Sequence, residues 1–167
     1  IGAGAGGAAI FFRRLISLMH WLFQEQLGGA LSGWVGGFWT IPVLALGGLG
    51  VGLITRYFAP ETKGHGVPEV MLSVAQEGGR IRARVTLLKA LAAAVCIGSG
   101  GSAGREGPIV QIGSAFGSML GQWFRMPDRR VLLSVACGAA GGIAATFNAP
   151  MAGVIFALEV ILARFTA

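Results

Sequence analysis

The sequence predicts an all-α integral membrane protein, and three observations lead to this fold class. Apolar residues make up 54% of the 167-residue chain and charged residues only 12%, against roughly 25% charged residues in soluble domains. Residues 26–55 and 131–158 carry no charge, and about 20 apolar residues suffice for a helix to span a bilayer. Glycines recur four residues apart within the apolar runs, as at Gly113, Gly117 and Gly121, a spacing that lets membrane helices approach closely.

Two full-length helices are expected at the start of the chain. Residues 10–27 form an apolar run with Arg13 and Arg14 near its cytoplasmic end, and residues 37–58 form a second run. The Gly- and Pro-rich segment 59–67 interrupts the pattern, because glycine and proline are poor helix formers. The chain therefore enters its third helix after a break.

Two further helices are expected to begin at Gly-rich breaks, each with proline at its first position. The first break reads Gly64-His65-Gly66-Val67-Pro68 and precedes a helix at 68–76 that is too short to span a bilayer. The second reads Gly104-Arg105-Glu106-Gly107-Pro108 and precedes a helix at 108–124. Transporters bind anions where the N-termini of discontinuous helices converge near the membrane midplane. The paired breaks therefore predict an anion site.

The remaining segments complete a single transmembrane region over residues 1–167, without a separate soluble domain. They are a basic turn at 78–84, a short apolar helix at 85–97 and closing helices at 129–145 and 150–162. Arginines cluster at the segment ends, as in cytoplasmic loops that follow the positive-inside rule. We therefore attribute the net charge of +6 to arginines on the cytoplasmic side of a lipid bilayer, which is the expected partner. We expect no nucleic-acid binding.

Glu106 is the strongest candidate for a functional residue. Residues 90–104 and 107–124 carry no charge, and a carboxylate between membrane-length apolar stretches is costly enough to indicate function. It stands where a helix begins, and the free N–H groups and the dipole of a helix start attract anions. A negative side chain there competes with the anion, so we predict that Glu106 is a gate. No metal or organic cofactor is expected; the ligand is the transported anion.

A catalytic interpretation of the same glycines is a remote alternative. Gly100-Gly101-Ser102-Ala103-Gly104 fits the G-x-S-x-G pattern of a nucleophile elbow. An intramembrane serine protease of the rhomboid type would pair Ser102 with His20 or His65. This interpretation leaves Glu106 and the other Gly/Pro break unexplained. A purely structural membrane subunit is a further alternative, and the lone Glu106 argues against it. We therefore expect a protein that is not an enzyme.

The two breaks, with Phe147-Asn148-Ala149-Pro150 and the helix after them, resemble the CLC family of chloride channels and anion/proton antiporters. The most specific stretch is residues 98–113, which read GSGGSAGREGPIVQIG. The resemblance covers essentially the whole chain. It implies a CLC-like bundle of full, tilted and broken helices, with this chain as the first of two inverted repeats. It also implies a second half of the same pore domain and a homodimer as partners, in a multi-pass protein of a prokaryotic-type cell membrane.

The resemblance also implies a role for each matched residue. Glu106 would be the gating glutamate, which leaves an anion site when it is protonated or displaced. Arg105 and Gly107 would lend backbone N–H groups to the outer anion site, and Lys89 would be a buried basic residue that makes the pathway positive. The implied anion-binding positions all lie in the two breaks: Gly64, His65, Gly66, Val67, Pro68, Gly104, Arg105 and Gly107.

Two departures from the family pattern bear on the transported ion and on coupling. His65 stands where chloride-selective members often carry serine, and an imidazole can donate a hydrogen bond or add a charge. Chloride is the expected anion, and nitrate or fluoride selectivity remains an alternative. Val160 stands where well-studied antiporters carry a proton-relaying glutamate, and its neighbour Glu159 is expected to be a buried structural carboxylate. Because valine cannot carry a proton, we expect a passive anion channel, with an anion/proton antiporter as the alternative.

Overall fold

The computed structural model describes residues 1–58 and 66–162, and this part of the chain is helical and contains no β-strand. The predicted all-α class is therefore confirmed. The α-helices of the described residues are α1 (Gly2–His20), α2 (Gly28–Val35), α3 (Thr40–Leu53), α4 (Gly66–Gln76), α5 (Ala83–Gly98), α6 (Glu106–Trp123), α7 (Asp128–Phe147) and α8 (Pro150–Phe156). Wider π-helical turns follow α1, α3 and α8 at Trp21–Leu27, Ile54–Phe58 and Ala157–Ile161. A 3₁₀ turn at Gly36–Phe38 separates α2 from α3.

Two segments of the described chain are long and apolar enough to cross a membrane. Thr40–Tyr57 has a mean hydropathy of 1.3 and Asp128–Phe147 has one of 1.5. Only 11% of the first segment is buried, so its apolar side chains are available to lipid or to other protein. These two segments agree with the predicted helices at 37–58 and 129–145.

The contacts divide the described chain into two compact units. The first unit comprises residues 1–11, 66–87 and 106–162, and the second comprises residues 12–58 and 88–105. Both breaks of the sequence therefore stand at or near a change of unit. The single transmembrane region over residues 1–167 stays a prediction.

The first unit is built around α6, which packs on α7 through glycines. A β-carbon on Gly113 would collide with the carbonyl oxygen of Gly138, and one on Gly117 would lie 2.6 Å from the carbonyl carbon of Ser134. One turn further on, a β-carbon on Gly121 would lie 3.1 Å from Val131 Cγ2. The four-residue glycine spacing thus brings two helix backbones into contact, as predicted, and such contact is what holds helices together in lipid.

Helix α1 begins at Gly2 and not at residue 10, where its start is predicted from the sequence. Its Gly/Ala-rich first turns pack within the first unit: a β-carbon on Gly4 would overlap the Phe116 ring, and one on Gly141 would lie 3.1 Å from Ala5 Cβ. Glycine costs about 1 kcal/mol per residue in a helix. Close packing offsets that cost here, so the helix extends through residues that its propensity alone disfavours.

Helices α4 and α6 both begin two residues earlier than the prolines predict. Gly66 and Glu106 are their first residues, so Pro68 and Pro108 are third and not first. The correction has a simple cause, because the first four N–H groups of a helix have no partner within it. Proline therefore removes no hydrogen bond at either position. In both helices, therefore, the proline is the third residue.

The residues just before the second break pack within the second unit. Gln24 Nε2 donates a hydrogen bond to the carbonyl oxygen of Ser99 at 3.2 Å, and a β-carbon on Gly47 would collide with the Ser99 side chain. Gly100 has a φ of 99°, a conformation that only glycine adopts without strain. These contacts fix the turn at which α5 ends.

Candidate functional site

The N-terminal ends of α4 and α6 meet within the first unit. A β-carbon on Gly66 would collide with the carbonyl oxygen of Gly107 and lie 2.8 Å from its carbonyl carbon. A β-carbon on Gly107 would lie 3.5 Å from the backbone nitrogen of Gly66. Only a residue without a side chain allows this approach at Gly66, which is buried. The sequence-predicted convergence of the two breaks is therefore present in the backbone.

This convergence concentrates positive potential at one point. Each helix start presents backbone N–H groups that no intrahelical acceptor takes up, and each dipole adds the equivalent of about half a positive charge at its N-terminus. Because two such ends lie in backbone contact, an anion beside Gly66 and Gly107 would receive donors from both helices. No fixed cation is needed, which suits an ion that must also leave.

Glu106 is the first residue of α6 and precedes the Gly66–Gly107 contact directly. Its side chain is exposed, whereas Gly107 is partly buried. A carboxylate on one exposed side chain at a helix start can occupy the position of an anion or turn away from it. The geometry is thus compatible with the gate predicted for Glu106.

The other predicted site residues differ in burial and in the unit to which they belong. Val67 is partly buried and Pro68 is exposed in the first turn of α4, and Gly104 and Arg105 are exposed at the end of the second unit. Gly64 and His65 lie outside the described residues. Lys89 is 7% exposed on α5 in the second unit, so it is buried as the resemblance implies.

The π-helical turn after α8 carries Val160 and Glu159. Val160 is partly buried, whereas Glu159 is exposed, so the expectation of a buried Glu159 is wrong. The reason is the orientation of the turn: Ala157 and Ile161 are 5% and 2% exposed and take its inner face. Glu159 then points to the opposite side.

Sequence reasoning missed two buried polar residues on α6. Gln111 is 1% exposed and Ser114 is fully buried. Neither the Gln111 carboxamide nor the Ser114 hydroxyl has a hydrogen-bond partner among the described residues. A β-carbon on Gly66 would lie 3.2 Å from Gln111 Oε1, so the carboxamide lies beside the first turn of α4. The missed signal was the spacing of polar residues along α6, which recur on the helix face that carries Gly107.

The protease alternative gains no support from the second unit. Ser102 is exposed in the turn after α5, and no hydrogen bond joins it to His20 in the described part of the chain. His65, the other candidate base, lies outside the described residues. The arrangement of a nucleophile held by a base is therefore not seen.

A family model and two curated relatives match most of the chain. A family model described as "Voltage gated chloride channel" matches residues 47–167. The H(+)/Cl(-) exchange transporter ClcA of Vibrio cholerae is 38% identical over 173 residues, covering 99% of this chain and 36% of the relative. The putative chloride channel protein ClcB-like of Ralstonia nicotianae is 35% identical over 176 residues, covering 99% of this chain and 40% of the relative.

A solved structure extends the similarity to three dimensions. The chain matches the crystal structure of a slow cyanobacterial Cl⁻/H⁺ antiporter with a TM-score of 0.74 and 28% identity. The match covers 93% of this chain and 37% of that one. The chain therefore spans between 36% and 40% of the length of the relatives named here.

Proposed function

We propose, from the premise that the chain belongs to the voltage gated chloride channel family, that it forms the first half of an anion pathway that exchanges chloride for protons. The family resemblance carried by the two breaks is confirmed by the family match. The anion site would be the meeting point of α4 and α6, and Glu106 would be its gate. The observation that carries the proposal is the backbone contact between Gly66 and Gly107 at two helix starts, directly beside a carboxylate.

The passive channel expected from Val160 is not confirmed, and two of the three proteins named above are described as exchangers, whereas the third is described as a putative chloride channel. One relative is named as an H(+)/Cl(-) exchange transporter and the matched structure as a Cl⁻/H⁺ antiporter. Val160 is aliphatic and partly buried, so it cannot take up a proton. Exchange in this protein therefore requires a proton route that does not depend on residue 160.

Three further parts of the proposal concern partners and the ion. A second half of the same pore domain would supply the remaining donors of the anion site, because the chain spans about a third of its relatives. The complete protein would be a homodimer in the cell membrane. Chloride would be the transported anion, and the His65 side chain would tune the selectivity of the site for chloride over nitrate and fluoride.

The test uses the complete polypeptide that contains these residues, reconstituted in liposomes. A pH gradient is imposed at fixed chloride, and the reversal potential of the chloride current is measured. For an exchanger this potential shifts with the pH gradient; a potential that ignores pH would leave the passive channel as the function.

The gate is tested in the same preparation with Glu106→Gln. The amide cannot change charge, so the dependence of chloride flux on external pH should disappear. Glu25→Gln, which neutralises an exposed carboxylate on the π-helical turn after α1, is the matched control and should keep that dependence. An unchanged pH profile in Glu106→Gln would contradict the assignment of the gate.

A further inference from the structure

Two arginine-rich segments of the first unit lie against each other. The basic turn at residues 78–84 is bound to helix α6, because the Ser118 hydroxyl donates a hydrogen bond to the carbonyl oxygen of Gly79 at 2.6 Å. The Arg80 guanidinium also reaches the Asp128 carboxylate at the start of α7, with 3.3 Å between Nη2 and Oδ1. The basic turn is therefore fixed beside the connection between α6 and α7.

The two segments together carry a large excess of positive charge. We name their arginines the basic cluster, and all of its members are exposed: Arg80, Arg82, Arg84, Arg125, Arg129 and Arg130. The carboxylates beside them are Asp128 and Glu77, the residue before the basic turn, so six positive charges face two negative ones. Clusters of about four to eight basic residues at the cytoplasmic end of membrane helices attract anionic lipids.

A cavity of about 520 Å³ opens within the basic cluster, in the range of roughly 300–1,000 Å³ that is usual for ligand sites. Its charged and polar lining is Glu77, Arg80, Arg82 and Gln122, and its apolar lining is Ile81, Ala83 and Met119. Guanidinium groups are well suited to phosphate oxygens, and each has five N–H donors. Arg80 can therefore bond to Asp128 and to a phosphate at once. The lining suits a ligand with a charged part and an apolar part.

The end of α6 carries an aromatic pair next to this cavity. Trp123 and Phe124 follow Gln122 directly, are 77% and 68% exposed, and stack with their ring centroids 6.2 Å apart. Tryptophan is enriched at the level of the lipid headgroups. Helix α6 rises about 24 Å from Glu106 to Gln122. A helix that starts near the midplane then ends among the headgroups, because half of a bilayer with its headgroups measures roughly 20 Å.

We propose that this cavity binds the headgroup of an anionic phospholipid from the cytoplasmic leaflet. Arg80 and Arg82 bind the phosphate, Glu77 accepts a hydrogen bond from a hydroxyl of the headgroup, and Met119 contacts the start of an acyl chain. Phosphatidylglycerol, which carries both a phosphate and hydroxyls, matches these groups. A zwitterionic lipid brings no net charge to the excess of arginines and binds more weakly. The inference does not depend on the exchange of chloride for protons.

The bound lipid also has a consequence for the stability of the first unit. Like charges within the basic cluster repel one another in the protein without lipid, and a bound anion lowers this repulsion. The basic turn joins α4 to α5, and Ser118 and Asp128 hold it to α6 and α7. A lipid in the cavity therefore holds together the ends of helices whose other ends form the proposed anion site.

The test measures lipid binding to the complete protein that contains these residues, in detergent, by native mass spectrometry. Dioleoyl phosphatidylglycerol is titrated against dioleoyl phosphatidylcholine, and the dissociation constant of the tightest-bound lipid is compared. We expect phosphatidylglycerol to bind at least about tenfold more tightly. In the double variant Arg80→Gln/Arg82→Gln its binding should weaken about fivefold for each arginine, hence roughly 25-fold.

The matched control removes the same charge elsewhere. Arg14→Gln/Arg56→Gln replaces two exposed arginines of the second unit, and its affinity for phosphatidylglycerol should equal that of the wild type. An equal loss in this control would overturn the site, because it would show attraction by net charge alone. Glycerol 3-phosphate carries the phosphate without acyl chains. We expect it not to displace the lipid at equal concentration, and displacement would mean a site for a free phosphate and not for a lipid.

The remaining outcomes decide the proposal in the same way. Equal affinity for the two lipids, or unchanged affinity in Arg80→Gln/Arg82→Gln, would overturn it and would fit a cavity that other parts of the complete protein cover. Thermal unfolding shows which variants are folded. If the double variant is not, Met119→Gln decides, with weaker phosphatidylglycerol binding expected and wild-type affinity counting against the site. Because no transport is measured, a failure of the proposed exchange leaves each of these results unchanged.

Discussion

Replacing Gly66 by alanine is the sharpest test of the site at the start of α4. The new methyl group would meet the backbone of Gly107, colliding with its carbonyl oxygen and lying 2.8 Å from its carbonyl carbon. Ordinary contacts of a β-carbon begin near 3.4 Å. No side chain can rotate out of the way, because the obstacle is backbone. The two helix starts must therefore separate by at least about 0.6 Å, given these two distances.

That separation acts on the bound anion more than on the fold. If the anion accepts N–H groups from both helix starts, parting them removes or weakens at least one charge-assisted hydrogen bond. Such a bond contributes about 1.5–3 kcal/mol, and each 1.4 kcal/mol corresponds to about tenfold in a binding constant. We therefore expect chloride to bind about 10- to 100-fold more weakly to the Gly66→Ala protein.

Calorimetric titration of the complete protein with chloride in detergent measures this change directly. Gly48→Ala is a suitable control, because a β-carbon there meets no atom within 4 Å in the described structure, and its chloride affinity should match the wild type. Thermal unfolding of both variants separates loss of affinity from loss of fold. Wild-type affinity in Gly66→Ala would refute the idea that the anion lies between the two helix starts.

Three further predictions concern the packing of the first unit. Gly117→Ala should lower the unfolding free energy by about 1–3 kcal/mol, because the new methyl group overpacks against α7. In the control Gly29→Ala the new methyl group meets no atom within 4 Å, so the unfolding free energy should stay unchanged or rise by up to about 1 kcal/mol; chemical denaturation in detergent compares the two. Ser118→Ala should cost about 1–3 kcal/mol in the same assay, because two backbone groups of the basic turn lose their buried partner, and a loss within the error of the wild type would show that the turn is held by other contacts. Asp128→Asn should change stability by less than about 1 kcal/mol, since the ion pair with Arg80 has both side chains about two-thirds exposed (67% and 66%); a larger loss would mean that the pair is shielded from solvent in the complete protein.

The helices and the converging breaks could be predicted because the determinants are local. Charge-free runs, Gly-rich breaks and prolines stand in the sequence at fixed spacing, and they indicate where a membrane helix begins. The exact starts could not be read in the same way. The first helical turn needs no internal N–H partner, so a proline allows a start two residues before it, as at Gly66 and Glu106.

Other features depend on contacts between distant parts of the chain. Helix α1 extends to Gly2 because Phe116 and Gly141 lie against its first turns, and nothing near Gly2 in sequence reports this. The exposure of Glu159 follows from which face of its turn packs inward, which is likewise a tertiary property. The passive channel was predicted from Val160 alone, and one residue does not determine every route by which a proton can cross the protein.

Val160 by itself does not decide between passive conduction and exchange. A valine at a relay position removes one titratable group, but proton transfer needs exchangeable protons and not one particular carboxylate. The unit that carries Glu106 also buries the Gln111 carboxamide and the Ser114 hydroxyl without hydrogen-bond partners among the described residues. A buried polar group without a partner is costly, so the polar character of α6 beside the start of α4 asks for an explanation that residue 160 alone does not give.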